Sequence, residues 1–231
     1  MKEEEVAELW IKIDKLHLQY LETVEDVAKL RIRSDLEDEV VKYLSIVPHD
    51  RRFVSLTTGD IITSTMKSHP NLSLIKIASS FRAVEQYASN LINDSGRTVP
   101  ELWKIDQRSS FYVETIQNRL AGGAVKFFLE MGFTNTAPFI LELPALNISA
   151  VTAVARDCLL AAVECSLMAE IETGVSEAGF PFFSLLEIDQ FRRNNLGSVK
   201  QAIKEIVFRK RFGQWGYLDL GLMVKRDCDQ R

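Results

Sequence analysis

The chain has 231 residues, with 28 Lys and Arg against 32 Asp and Glu and a formal net charge of −4. Hydrophobic residues make up 46% and charged residues 26%, with 11 glycines and 6 prolines, so a sizeable core and long helices are expected rather than many short strands. The acidic balance excludes the broad basic footprint of non-specific nucleic-acid binding, and no apolar run reaches the roughly 18 residues of a membrane span.

The first segment carries Val6, Leu9, Trp10, Ile13, Leu16, Leu18, Tyr20 and Leu21 at near-helical spacing, which predicts an amphipathic helix over 4–23. Its opening, MKEEEVAELW, is acidic where a secretory or mitochondrial leader would be basic. Ser34, with Glu37 three residues on, reads as a capping box for a second helix that stops at Pro48. A connection over 49–57, a short helix from Asp60 to Ser68 and a longer one capped by Asn71 or Ser73 follow. The longer helix ends at Asn93-Asp94-Ser95-Gly96.

Beyond it, Leu102 to Asp106 and Phe111 to Ile116 are rich in aromatic and β-branched residues and predict two short strands, with Phe139 to Leu143 as a third. A helix from about Gly123 to Met131 lies between them. From Ser149 to about Thr173 an Ala- and Leu-rich pattern predicts a long helix, ended by Gly174 and the Gly179-Phe180-Pro181 break. A last helix runs from Val199 to about Phe208. Ile203, Ile206 and Val207 form its packing face, and Arg209-Lys210-Arg211, Phe212, Trp215 and Tyr217 follow. That basic run reads either as a nuclear-import or acidic-partner patch or as a solvated helix end.

Chemistry is sparse. Cys158, Cys165 and Cys228 form no C-x-x-C pair, which fits reduced thiols in a soluble, cytoplasmic protein, with a nuclear pool if the basic patch directs import. Cys158 and Cys165 sit among Val154, Leu159, Ala162 and Met168, the setting of buried small hydrophobes. His17, His49 and His69 lie far upstream of them, and no spacing suits a metal. The run Asp35, Glu37, Asp38, Glu39 matches a helix dipole better than a cation site. Gly122-Gly123 lacks the frame and lysine of a phosphate loop. No cofactor, metal or catalytic residue is expected, and the rival enzyme reading needs scattered residues such as His49 and Cys165 to meet.

The segment from Leu120 to Phe133, an apolar helix ending in Met131-Gly132-Phe133, resembles the signature helix of PUB domains. Phe81 to Leu91 is similar to that family's long helix, and Leu102 to Asp106 and Phe139 to Leu143 stand where its short strands belong. Within the family, Val47 to Phe53 and Ala162 to Ile171 resemble the branch of spermatogenesis-associated protein 2 and insect tamozhennic. The resemblance implies a mainly α (α+β) fold, a PUB-like helical domain with a small three-stranded sheet. It would span 70–175, between an N-terminal helical extension over 1–69 and a C-terminal one over 176–231. It also implies a non-catalytic adaptor for a ubiquitin-pathway protein, a CYLD-type deubiquitinase linked to HOIP-type linear-ubiquitin signalling. The alternatives are the C-terminal tail of the unfoldase valosin-containing protein and an import-linked adaptor like tamozhennic.

Carried over by resemblance, a peptide groove is lined by Tyr87, Asn90, Leu102, Lys104, Gln107, Ser109 and Ser110. An apolar floor receives an aromatic anchor while amide, hydroxyl and cationic groups fix its backbone. Tyr87 and Leu102 read equally as core, and Ser109-Ser110 as turn formers. The ligase HOIP has two asparagines where this chain has Ser109 and Ser110, so the polar rim reaches less far. The zinc-binding region and docking motif found further along spermatogenesis-associated protein 2 are absent, which fits an N-terminal piece or a minimal relative.

Overall fold

The structure, a computed structural model, describes residues 3–122, 124–180 and 184–212. It is mainly helical with a small antiparallel sheet, as expected. The elements are α1 (Glu3–Glu22), α2 (Asp26–Ile46), α3 (Leu56–Ser68), α4 (Leu74–Asn93), β1 (Lys104–Asp106), a π-helix (Tyr112–Gln117), α5 (Ala124–Glu130), β2 (Thr134–Ala137), β3 (Ile140–Glu142), α6 (Ile148–Glu177) and α7 (Leu185–Asn194). A further helix, α8, is described over 199–212.

The centre is the pair α4 and α6, which lie along one another. On α4 the buried residues Ile77, Phe81, Val84, Ala88 and Leu91 recur every three or four positions, which points one stripe inward. Each large side chain so buried contributes about 1.5–3 kcal/mol. α6 is buried nearly all round, from Val151 through Leu159 and Cys165 to Val175, because α1, α2, α3, α5 and α7 pack about it. A helix apolar on every face belongs at the centre of a domain. Asn147 starts it, its side chain accepting the Ala150 amide hydrogen at 3.1 Å.

Several boundaries differ from the sequence reading. Ser34 lies inside α2, whose start at Asp26 has no side-chain cap; Val27 and Leu30 are exposed, so the first turns show no apolar period. α3 begins at Leu56, ahead of Asp60. The strand expected over Phe111 to Ile116 is a π-helix instead: Tyr112 and Ile116 are both buried, four residues apart, a helical spacing that outweighs β-propensity. The sheet's other member is β2, entirely exposed and therefore without the apolar alternation that marks a strand. The order is β1-β3-β2, with Ile105 and Asn135 both paired to Leu141. α6 continues through Gly174 to Glu177, since a side chain there would strike Ile203 of α8; glycine serves close approach, not a stop. α7 was unforeseen, although Ser184 and Glu187 form a complete capping box.

A buried ionic seam ties these layers together. Glu164 of α6 accepts from Arg192 Nε at 2.9 Å and Nη2 at 2.8 Å, and from Arg52 Nη1 at 3.0 Å. Arg52 Nε donates to the Val47 carbonyl at 2.9 Å, and Arg192 Nη1 to the Gly197 carbonyl at 3.1 Å. The two guanidinium groups hold the Glu164 carboxyl below its usual range, against a desolvation that pushes the other way. Seven residues earlier, Asp157 accepts from the amides of Val54 and Ser55 at 2.9 and 2.7 Å. Burial raises its carboxyl. On α8, Ala202 and Ile206 are buried, with Ile203 and Val207 packed against the core. This is the packing that the C-terminal helix was expected to make.

Candidate functional site

Tyr87, on α4, is half-buried. Its ring meets Phe128 edge-on at 5.5 Å and Phe133 at 6.2 Å between centroids, and its hydroxyl donates to the Leu102 carbonyl. Burial pushes that phenol well above its ordinary value. Leu102, half-buried, belongs to a short 3-10 turn (Pro100–Trp103) leading into β1. The turn is fixed by Asp94, which accepts the indole N–H of Trp103 at 3.0 Å and the backbone N–H of Thr98 at 2.8 Å. Tyr87 and Leu102 are therefore brought together, and both serve the packing that seats β1.

The remaining groove residues spread outward from this pair. Asn90, exposed on α4, accepts from Gln86 and faces a depression shared with Lys29 and Arg33 of α2. Lys104, exposed on β1, pairs with Glu142 of β3 at 3.0 Å. The Ser109 hydroxyl accepts the Tyr112 amide hydrogen at 3.3 Å, a cap on the π-helix, and Ser110 is exposed beside it. Gln107 donates its N–H to the Phe139 carbonyl at 2.8 Å and lines a separate cleft.

That cleft, about 780 Å³, lies between the π-helix, the β2–β3 turn and the approach to α5. Tyr112, Val113, Leu120 and Val125 give it apolar walls; Gln107, Arg108 and His69 stand among them. Tyr112 is 2% exposed and its hydroxyl has no hydrogen-bond partner among the described residues. Phe139 follows Pro138 at the third position of the β2–β3 turn, with φ of 65°, where glycine is the usual residue. The residue is 57% exposed, with the Arg108 guanidinium 5.9 Å from its ring centroid. π-helical turns and side chains held in left-handed backbone both concentrate at functional sites. Sequence reasoning passed over Tyr112 and Phe139 because both read as strand. The sign available was Pro138-Phe139, a turn with an aromatic where glycine would be easier.

The candidate nucleophiles are enclosed. Cys158 and Cys165 are fully buried, and burial raises both thiols far above their ordinary value, so neither supplies a thiolate. His49 packs against Phe53 and Gly59, and burial lowers its imidazole. His17 is sealed between α1 and α4, with Nε2 3.4 Å from Glu85 Oε1. Among the described residues no group of three or more His, Cys, Asp or Glu side chains could hold a metal ion.

The basic run is engaged within the fold. Arg209 bonds Glu205 and lies over the Phe191 ring, Lys210 pairs with Glu187 at 3.1 Å, and Arg211 stands 6.0 Å from the Phe180 ring centroid. The solvated helix-end reading fits this geometry better than an open basic patch. Trp215, Tyr217 and Cys228 lie outside the described residues. No helix among the described residues is long and apolar enough to cross a membrane.

No family model matches the chain. It is 34% identical to Protein tamozhennic of Drosophila melanogaster over 204 residues, which is 87% of this chain and 25% of that protein. The chain thus spans about a quarter of the length of the curated relative it matches. The likeness runs across most of this chain, and the chain is therefore related in sequence to that part of tamozhennic.

Proposed function

We propose that the chain is a docking module with no chemistry of its own, a PUB-like adaptor that holds a ubiquitin-pathway protein, a CYLD-type deubiquitinase before others. One contrast supports this most: among the described residues the thiols of Cys158 and Cys165 and the His17 ring are shut inside, while Asn90, Lys104 and Ser110 are exposed. Enclosed nucleophiles and an outward polar rim over apolar side chains suit binding better than catalysis. The exposed surface at Asn90, Lys104 and Ser110 is the proposed contact, with Tyr87 supporting it from beneath.

The test is calorimetric titration of the purified chain against the catalytic domain of a CYLD-type deubiquitinase, with linear di-ubiquitin incubated with the chain alone as control. Saturable 1:1 binding and an uncleaved control are expected. Absence of binding, or cleavage by the chain itself, overturns the proposal.

A further inference from the structure

Two adjoining depressions flank α8. One, about 700 Å³, is walled by Leu196 and Phe208, and the other, about 910 Å³, by Val41, Ile75, Leu167 and Val199. They share Ser45 and Gly197, so together they form one groove that runs along α8 from Phe208 back toward Val199. Val41, Ile75, Leu196 and Phe208 are exposed there, and Phe212, also exposed, stacks on Phe208 with 4.6 Å between ring centroids. Soluble monomers rarely leave contiguous apolar surface open, so a groove of this kind marks a binding surface.

The sequence that follows α8 matches the groove. Residues 213–231 lie outside the described residues, and they are joined directly to the end of α8. Gly213 and Gly216 come first, residue types that permit a reversal of the chain. Leu218, Leu220, Leu222 and Val224 then fall at every second position, the period of an extended segment with one apolar side, and Asp219 is the only charge between 213 and 224. α8, over 199–212, is about 21 Å long, which an extended chain covers in about seven residues. The segment therefore reaches the far end of the groove on its own molecule. Its tether gives it an effective concentration of about millimolar, which favours it over a second copy of the chain. We propose that residues 217–224 lie back along α8 and fill this groove, with Leu218, Leu220 and Leu222 against Phe208, Leu196 and Val199, as an intramolecular strap that closes the face between α2, α6 and α8. The strap uses none of the surface at Asn90, Lys104 and Ser110, so its closure and docking at that surface stand or fall separately.

The full chain carries its own probe site. Cys158 and Cys165 are buried, so a thiol-directed nitroxide labels Cys228, four residues beyond Val224. Backbone amide signals of the isotope-labelled full chain are compared with the nitroxide active and chemically reduced. Loss of signal at Val41, Ile75 and Leu167 is expected, and the same positions should recover in the double variant Leu220→Asp, Leu222→Asp, whose other amide positions report that the fold is intact. Loss confined to the residues next to Phe212, or loss retained in the variant, overturns the strap. A mixture of isotope-labelled chain without nitroxide and nitroxide-bearing chain without isotope should show no loss in the groove; loss there assigns the groove to a second copy and overturns the intramolecular reading.

Discussion

The seam around Glu164 and the cleft around Tyr112 are both buried and both polar, yet they treat their polar groups in opposite ways. In the seam one carboxylate meets two guanidinium groups and three backbone carbonyls complete the network, with only Arg52 Nη2 left over. Tyr112, which lines the cleft together with Phe139, has a buried hydroxyl without a partner among the described residues. Satisfied buried charge holds a fold together. A buried polar group without a partner leaves its desolvation cost unreturned. Burial of polar residues alone therefore does not say whether they are partnered; His17, sealed beside Glu85, also has ring nitrogens without a hydrogen bond.

The largest expected effect breaks the seam. Glu164→Leu leaves Arg52 and Arg192 buried without their counter-ion and should cost about 3–5 kcal/mol, read as a lower urea midpoint. A loss under about 1 kcal/mol would mean the guanidinium groups reach water.

Next comes Tyr87, which the sequence offers as a groove wall and the structure seats against Phe128, Phe133 and the Leu102 carbonyl. Tyr87→Ala should cost about 3 kcal/mol of stability, so a binding loss in that variant would not isolate a groove contact. Tyr87→Phe, removing only the hydroxyl bond, should cost about 1 kcal/mol and is the better probe.

Acid should act on the seam in a defined direction. Arg192 and Arg52 hold Glu164 below 4.5, its ordinary value, and His17 and Arg33 do the same for Glu85. A carboxyl lowered in the fold stabilises above its unfolded value and loses that contribution as pH falls through the folded value. Asp157, raised by burial, acts in the opposite sense. The urea midpoint should therefore decline below about pH 4.5, and Glu164→Leu should flatten that decline. An identical slope in the variant would remove Glu164 from the acid response. The smallest stability effect belongs to Tyr112→Phe, within about 0.5 kcal/mol of wild type or above it.

What the sequence displayed follows from where apolar side chains fall. α4 and α6 were legible because their buried positions are frequent and regular, and β3 because Leu141 stands between two half-buried neighbours. The start of α2 was not, since Val27 and Leu30 face solvent, nor was β2, which buries nothing. The groove residues were named through a family resemblance, and the structure distributes them: Tyr87 and Leu102 inward, Asn90 toward α2, Gln107 into the cleft. The cleft was not legible because it is lined from the π-helix and from the positive-φ turn at Phe139, both of which read as strand.

The most direct measurement of the docking account is hydrogen–deuterium exchange of the chain alone and with the catalytic domain of a CYLD-type deubiquitinase. The account predicts slowed exchange in the peptides over 86–110, around Asn90, Lys104 and Ser110, with the seam peptides around Glu164 unchanged. Slowed exchange confined to α7 and α8, or no change anywhere at saturating partner, would contradict it.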